Sequence, residues 1–307
     1  NLKIEFLRFL FFLFFLPRLM SEDQLYNLVN NYFIGNYQAA INEADSIPES
    51  EMKSEYVYRC YCNMGNYQLV QEEISSDSAP SLQAIKYLSQ YLEDRTLAQS
   101  MQEKLSQLQQ TEQSVISSAI ISFSENQFDE GLRILSNFKT MSCQALMITG
   151  LLLLHRVDKA EEIYRRMQQQ DEDHTLTGLA GTWITIAKGG AGLKDAFYQF
   201  QELIDKFSAS PLLLNGLAVY NLKSGNFEEA QSALQESLEK NPTHPDTIAN
   251  LISCSSFSDK SASLISQSTT RQIRQLNAND PDHVWLKRYE SFNSTFDNCA
   301  AKFSASK

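Results

Sequence analysis

Long apolar runs are scarce in this 307-residue chain: Phe9–Leu16 is an unbroken run of eight, far short of the ~20 residues that a membrane-spanning helix needs. Cysteine is sparse too. The five thiols form an odd set without Cys-x-x-Cys spacing, which excludes a disulfide framework and points to a reducing compartment. Cys60 and Cys62, two apart on a helix, point about 200° from one another and cannot share one metal. The four histidines, His155, His174, His244 and His283, are scattered singly, so the sequence offers no metal centre. Basic residues are outnumbered, 26 against 37 acidic, for a net charge of −11. The nearest basic cluster, Lys159 with Arg165 and Arg166, is interleaved with Asp158, Glu161 and Glu162, which excludes nucleic acid and makes direct binding to an anionic membrane unfavourable. Strand signals are nearly absent as well, because apolar residues recur at three-and-four spacing, as in Leu213, Leu217, Tyr220 and Leu234, Leu238.

What is present is a repeat. From Pro211 to Pro242 the chain carries Leu217, Ala218, Tyr220, Gly225, Asn226, Phe227, Ala230 and Leu234, close to a complete helix-turn-helix unit of the tetratricopeptide type. A small side chain at Ala218 lets two helices cross closely, Gly225-Asn226 turns the chain, and Ala230 seats the second helix against the first. Copies recur at Gly35-Asn36-Tyr37 with Ala40 and Ile41, and at Gly65-Asn66-Tyr67 with Val70. Further copies stand at Asn126, Phe128 and Gly131, at Val157, Ala160 and Tyr164, and at Ala196 with Phe200. Ala196 and Ala230 lie 34 residues apart, the length of the repeat itself. Between the second and third copies, Ser81–Leu108 reads as an inserted hairpin with a blurred signature, and Gly189-Gly190-Ala191-Gly192 as a lengthened turn.

The expected fold is therefore all-α: a tetratricopeptide-like helical-hairpin solenoid wound as a right-handed superhelix. Asp246–Leu276 continues the pattern weakly, and Pro281–Phe303, with Trp285, Tyr289, Phe292 and Phe296 on one face, reads as a C-terminal capping helix. Residues 1–19 stand outside the pattern and read as an artefactual leader, since Met20-Ser21-Glu22-Asp23 resembles an ordinary start and no small-residue cleavage site follows the apolar run. Residues 20–307 are expected to form a single solenoid domain.

No constellation supports catalysis. Gly189–Lys194 is not preceded by a buried strand, so it does not read as a phosphate loop. Glu161-Glu162 and Asp171-Glu172-Asp173 fall at a helix start and in a loop, where carboxylates favour the helix dipole or solvent. The repeats leave no room for a catalytic domain, and neither a cofactor nor a small-molecule substrate is expected. A stacked array of hairpins does offer a concave surface built from its first helices. The register places Leu25, Val29 and Tyr32 of the first unit, Arg59 and Cys62 of the second, and Asn215, Val219 and Leu222 of the last clear one on that groove. A groove so lined is largely apolar and suits lasting burial of a partner segment. The competing reading, an adaptor clamping the acidic carboxy terminus of a chaperone, needs Lys, Arg and Asn where Leu25 and Val29 stand.

Gly35–Ala44, Ser78–Ala84, and Arg166-Met167-Gln168 leading through Asp171-Glu172-Asp173 to Thr175-Leu176-Thr177 strongly resemble the epsilon subunit of coatomer. So do Gly189-Gly190 with Leu193–Tyr198, and Leu212–Gly216. The order and spacing hold from about Glu22 to Phe296. The likeness lapses in the leader and in the polar Ser253–Ser268 segment, where the helix count is open. The resemblance implies a non-catalytic subunit of the COPI vesicle coat in Golgi-to-endoplasmic-reticulum and intra-Golgi transport. It also implies that the repeat superhelix wraps the carboxy-terminal domain of the coatomer alpha subunit. The implied location is cytoplasmic and peripheral on Golgi membranes and coated vesicles, with recruitment by the assembled coat and a small GTPase.

Overall fold

Hairpin turns with left-handed backbone recur at one fixed distance from a buried residue. Gly35, Gly65, Asn126, His155 and Gly225 all have φ between 57° and 81°, and each stands five residues ahead of a buried Ala40, Val70, Gly131, Ala160 or Ala230. Glycine adopts this geometry freely, and asparagine and histidine tolerate it. The computed structural model describes residues 25–257 and 262–305, so the leader expected at 1–19 lies outside the described residues.

The chain is a succession of helices, with no strand among the described residues. The first hairpin pairs α1 (residues 25–33) with α2 (Tyr37–Ala44). The next four pair α3 (Glu51–Asn63) with α4 (Tyr67–Glu73), α5 (Pro80–Glu93) with α6 (Ala98–Gln107), α7 (Glu112–Ser124) with α8 (Phe128–Leu135), and α9 (Met141–Leu153) with α10 (Val157–Gln170). Beyond them come α11 (Thr175–Lys188), α12 (Leu193–Phe207), α13 (Pro211–Ser224), α14 (Phe227–Lys240), α15 (Pro245–Ser255), α16 (Ala262–Asn279) and α17 (Val284–Ala305). The contacts group these helices into two compact units, one ending at Lys188 and one beginning at Gly189.

Local chemistry explains where helices begin. Ser50, Thr140 and Ser210 accept backbone N–H bonds from Lys53, Cys143 and Leu213, and Thr111 with Ser114 completes a reciprocal capping box. Pro80, Pro211 and Pro245 occupy first turns, where the missing N–H costs nothing.

The inserted hairpin expected at Ser81–Leu108 is α5 and α6. Its signature is blurred because Met101, 2% exposed, fills the place that Ala, Val or Gly takes elsewhere, and a 3-10 turn at Arg95–Leu97 replaces the left-handed glycine. The turn at 189–192 is lengthened as expected: Gly189 and Gly190 both have positive φ, and Gly190–Gly192 forms a second 3-10 turn. In the uncertain 253–268 stretch, α15 ends at Ser255 and α16 begins at Ala262.

In the unit beginning at Gly189, Ala218, Ala230 and Leu234 are fully buried between α13 and α14 and pack with Leu251 and Cys254 of α15. Gly216 is set against the buried Phe200 ring of α12 so closely that a Cβ there would collide with Phe200 Cζ. The last helix caps this unit through its first turn. Leu286, 3% exposed, and the partly buried Trp285 close over Ile248, Ile252 and Leu276.

Candidate partner-binding surfaces

In the first unit the helices come round until α1 meets the start of α11. Thr175 donates its hydroxyl to Asn30 Oδ1 at 2.6 Å across 145 residues, and both side chains are buried. Asn30 in turn donates to the carbonyl of Tyr26 at 2.8 Å. Beside this seam the Phe33 ring lies 5.8 Å from the His174 imidazole and 6.1 Å, edge-on, from Tyr56. Aromatic pairs in such edge-to-face arrangements add about 0.5–1.5 kcal/mol beyond the area they bury.

Arg59 of α3 is the charge in this aromatic cluster. Its guanidinium lies 4.4 Å over the Tyr32 ring and 4.9 Å over that of Tyr56, and its Nε donates to Tyr32 Oη at 3.2 Å. Burial works against the charged form, but the flanking phenols and the Tyr32 hydrogen bond outweigh it, and the Arg59 pKa is raised. Burial pushes the Tyr56 phenol up to about 12. A stacked guanidinium fixed in this way presents N–H donors without rotamer loss.

Of the groove positions expected from the register, Leu25, Val29 and Tyr32 converge with Tyr56 and Cys60 in one core cluster. Val29, Tyr32 and Arg59 are half-buried and keep some surface, whereas Leu25 is 6% exposed and belongs to the interior. Cys62, also interior, packs with Val70, Ile74 and Ile85. Burial lifts both the Cys60 and Cys62 thiols to about 12, so neither is a thiolate at neutral pH.

In the second unit Asn215 is committed to its own repeats. Its Nδ2 donates to the Pro211 carbonyl at 2.7 Å and to Thr247 Oγ1 at 2.7 Å, and its Oδ1 accepts from Asn250 at 2.9 Å. Ser237 and Thr247 complete the network, 2.8 Å apart. Asn215 therefore ties α13 to α14 and α15, while Val219 and Leu222 of α13 remain half-buried and reachable.

Sequence reasoning did not find Asn30, Phe33, Tyr56, His174 or Thr175 as one constellation. No local pattern could have shown it, because the contact joins segments 145 residues apart. No helix among the described residues is long and apolar enough to cross a membrane.

Comparison with known proteins gives this architecture a family. Among solved structures, the anaphase-promoting complex assembly Cut9-Hcn1 superposes with a TM-score of 0.53 at 13% identity, over 82% of this chain and 52% of that one. A tetratricopeptide repeat protein from Parabacteroides merdae gives 0.50 at 12% identity, over 87% and 97%. These likenesses concern the fold alone, and they agree with an all-α, tetratricopeptide-like solenoid. Sequence relatives go further. Coatomer subunit epsilon-1 of Arabidopsis thaliana is 36% identical over 295 residues, covering 92% of this chain and 98% of its own length. Coatomer subunit epsilon-1 of Oryza sativa is 37% identical over 285 residues, covering 90% and 97%. Coatomer subunit epsilon of Dictyostelium discoideum is 34% identical over 306, covering 93% and 100%. With the family model of the coatomer epsilon subunit matching residues 21–304, the chain belongs to the coatomer epsilon subunit family.

Proposed function

We propose that this protein is a non-catalytic structural subunit of the coatomer (COPI) vesicle coat. In this reading it holds and stabilises the carboxy-terminal domain of the alpha subunit during Golgi-to-endoplasmic-reticulum retrograde and intra-Golgi transport. The observation that carries the proposal is family membership along nearly the whole chain. The physical support is a scaffold with reachable apolar side chains on first helices, Val29 and Tyr32 in one unit and Val219 and Leu222 in the other, with Arg59 as a fixed donor among them. Leu25 and Cys62 in one unit and Asn215 in the other are buried, and each holds neighbouring helices of its own unit together. Contact with Golgi membranes and coated vesicles is indirect, through the assembled coat, and the free protein is cytoplasmic.

The test is affinity capture of residues 20–307 from cytosol, with bound proteins identified by mass spectrometry and the complex sized by gel filtration. Stoichiometric recovery with the alpha subunit supports the proposal, and a monomer, or chaperones alone, overturns it. Val219→Asp addresses the face itself: an uncompensated charge in the buried interface is expected to weaken the alpha-subunit complex at least tenfold, by about 3–5 kcal/mol at full burial. An unchanged circular-dichroism melt must accompany the loss, and unchanged affinity in a folded variant removes Val219 from the interface.

A further inference from the structure

Beyond its first turn α17 is solvent-exposed. Every residue from Lys287 to Phe303 is exposed, including Phe292 at 74%, Phe296 at 72% and Phe303 at 78%. A helix of this length gains little from propensity alone and owes its stability to packing of an apolar face, and on this arm the Phe292 and Phe296 part of that face stays open to solvent. Its apolar residues are nevertheless in strict register. Trp285, Tyr289, Phe292, Phe296, Cys299 and Phe303 succeed one another at alternating steps of four and three, the a/d seam of a heptad repeat. Tyr289 stacks on Trp285 at 5.2 Å with the rings 11° apart, so the seam continues out of the capped core onto the arm. Tyr289 to Phe303 spans about 21 Å at 1.5 Å per residue.

The register selects the shape of the surface that covers the arm, and the charges select its chemistry. A 4-3 seam fits into the holes of another helix. The g positions beside the seam are Arg288, Thr295 and Lys302, and the e positions are Leu286, Asn293 and Ala300; Glu290 and Asp297 fall at b, turned away. The flank is thus basic on a chain whose net charge is −11. A second copy does not complement it. Antiparallel self-pairing sets Arg288 of each helix across from Lys302 of the other, and parallel self-pairing sets Arg288 against neutral Asn293.

We propose that α17 is a docking arm that pairs with an amphipathic helix of another protein, one whose apolar a/d seam is flanked by aspartate and glutamate. This surface is distinct from the first-helix surface and stands or falls independently of it.

The test uses the full chain and two synthetic probes: peptides of about three heptads with leucine at a and d, one carrying glutamate and the other lysine at e and g. Like charges at e and g keep each peptide from pairing with itself. By fluorescence anisotropy the acidic peptide is expected to bind about tenfold more tightly than the basic one, the scale of two weakly screened ion pairs. The Phe292→Ser/Phe296→Ser double variant loses that binding with its thermal melt unchanged, since both rings are exposed. The Arg288→Glu/Lys302→Glu variant reverses the preference between peptides. No binding of the acidic peptide, or equal binding of both, overturns the proposal. So does sedimentation showing that the chain dimerises and that the double serine variant abolishes the dimer, which makes a second copy the occupant.

Discussion

At the scale of single residues, this protein is decided by places where one atom is missing. Gly216 lies against the ring of Phe200, and a Cβ at that point would collide with three ring carbons. Phe200 is fully buried and cannot swing aside. Gly216→Ala is therefore expected to destabilise the protein by about 1–3 kcal/mol, the usual cost of forcing an extra methyl into a packed interior. Chemical denaturation reads it as a lower midpoint with an unchanged slope; a midpoint equal to that of the parent shows that α12 and α13 can separate without strain. The same scale shows where sequence reading stops. Ala218, Ala230 and Leu217 announce their packing roles through type and spacing, and all three are buried. Met101 does not, because a long flexible side chain carries no small-residue signal even when it occupies the same structural place. Asn215 was legible as a first-helix position but not as a hydrogen-bond hub, since its partners Thr247 and Asn250 belong to a later repeat.

At the scale of helices, three of the four histidines share an arrangement at helix starts. His174 Nδ1 accepts from Leu176 N at 3.1 Å, His244 Nδ1 from Thr247 N at 3.3 Å, and His283 Nδ1 from Trp285 N at 3.3 Å, at the starts of α11, α15 and α17. An imidazole accepts only while that nitrogen is unprotonated, and a proton there would place positive charge at the positive end of the helix dipole. Burial lowers the pKa of both His174 and His244. A base whose pKa is lower folded than unfolded binds fewer protons in the native state, so its contribution is present above the unfolded value near 6.5 and is lost as pH falls through and below it. The melting temperature is expected to drop between pH 7.5 and 5.5, and His244→Asn, which keeps a capping acceptor that does not titrate in this range, reduces the drop. An equal drop in parent and variant assigns the acid sensitivity elsewhere. The helices themselves were readable from periodicity. The periodicity of α17 could not show how far its apolar face is covered, because a seam facing its own core and one facing another protein have the same spacing.

For the molecule as a whole, charge governs what it avoids. Several of its exposed cations sit close to carboxylates of the same chain: Lys159 to Glu162 at 2.7 Å, Lys188 to Glu161 at 2.5 Å and Arg156 to Asp158 at 2.8 Å. Pairing of this kind adds little stability, yet it cancels the local positive field that an anionic surface would need. With a net charge of −11, the free chain is expected to remain in the supernatant when sedimented with phosphatidylserine-rich vesicles at physiological salt. Pelleting with such vesicles, reversed by high salt, would contradict that expectation and the indirect membrane contact proposed above.

The junction of Asn30 with Thr175 also has a bearing on how the chain is made. Neighbouring hairpins can fold one after another as they leave the ribosome, each on the one before it, because their contacts are local. Among the described residues, the far side of α1 meets a segment that comes much later: its hydroxyl partner is translated 145 residues on. Until then Asn30 and Phe33 wait in water on an unfinished surface, open to chaperones or to the wrong partner. Closure is a late, non-local step added to an otherwise nearest-neighbour assembly, so a nascent chain arrested before Thr175 has every helix of its first five hairpins and still lacks the contact that ties α1 to α11.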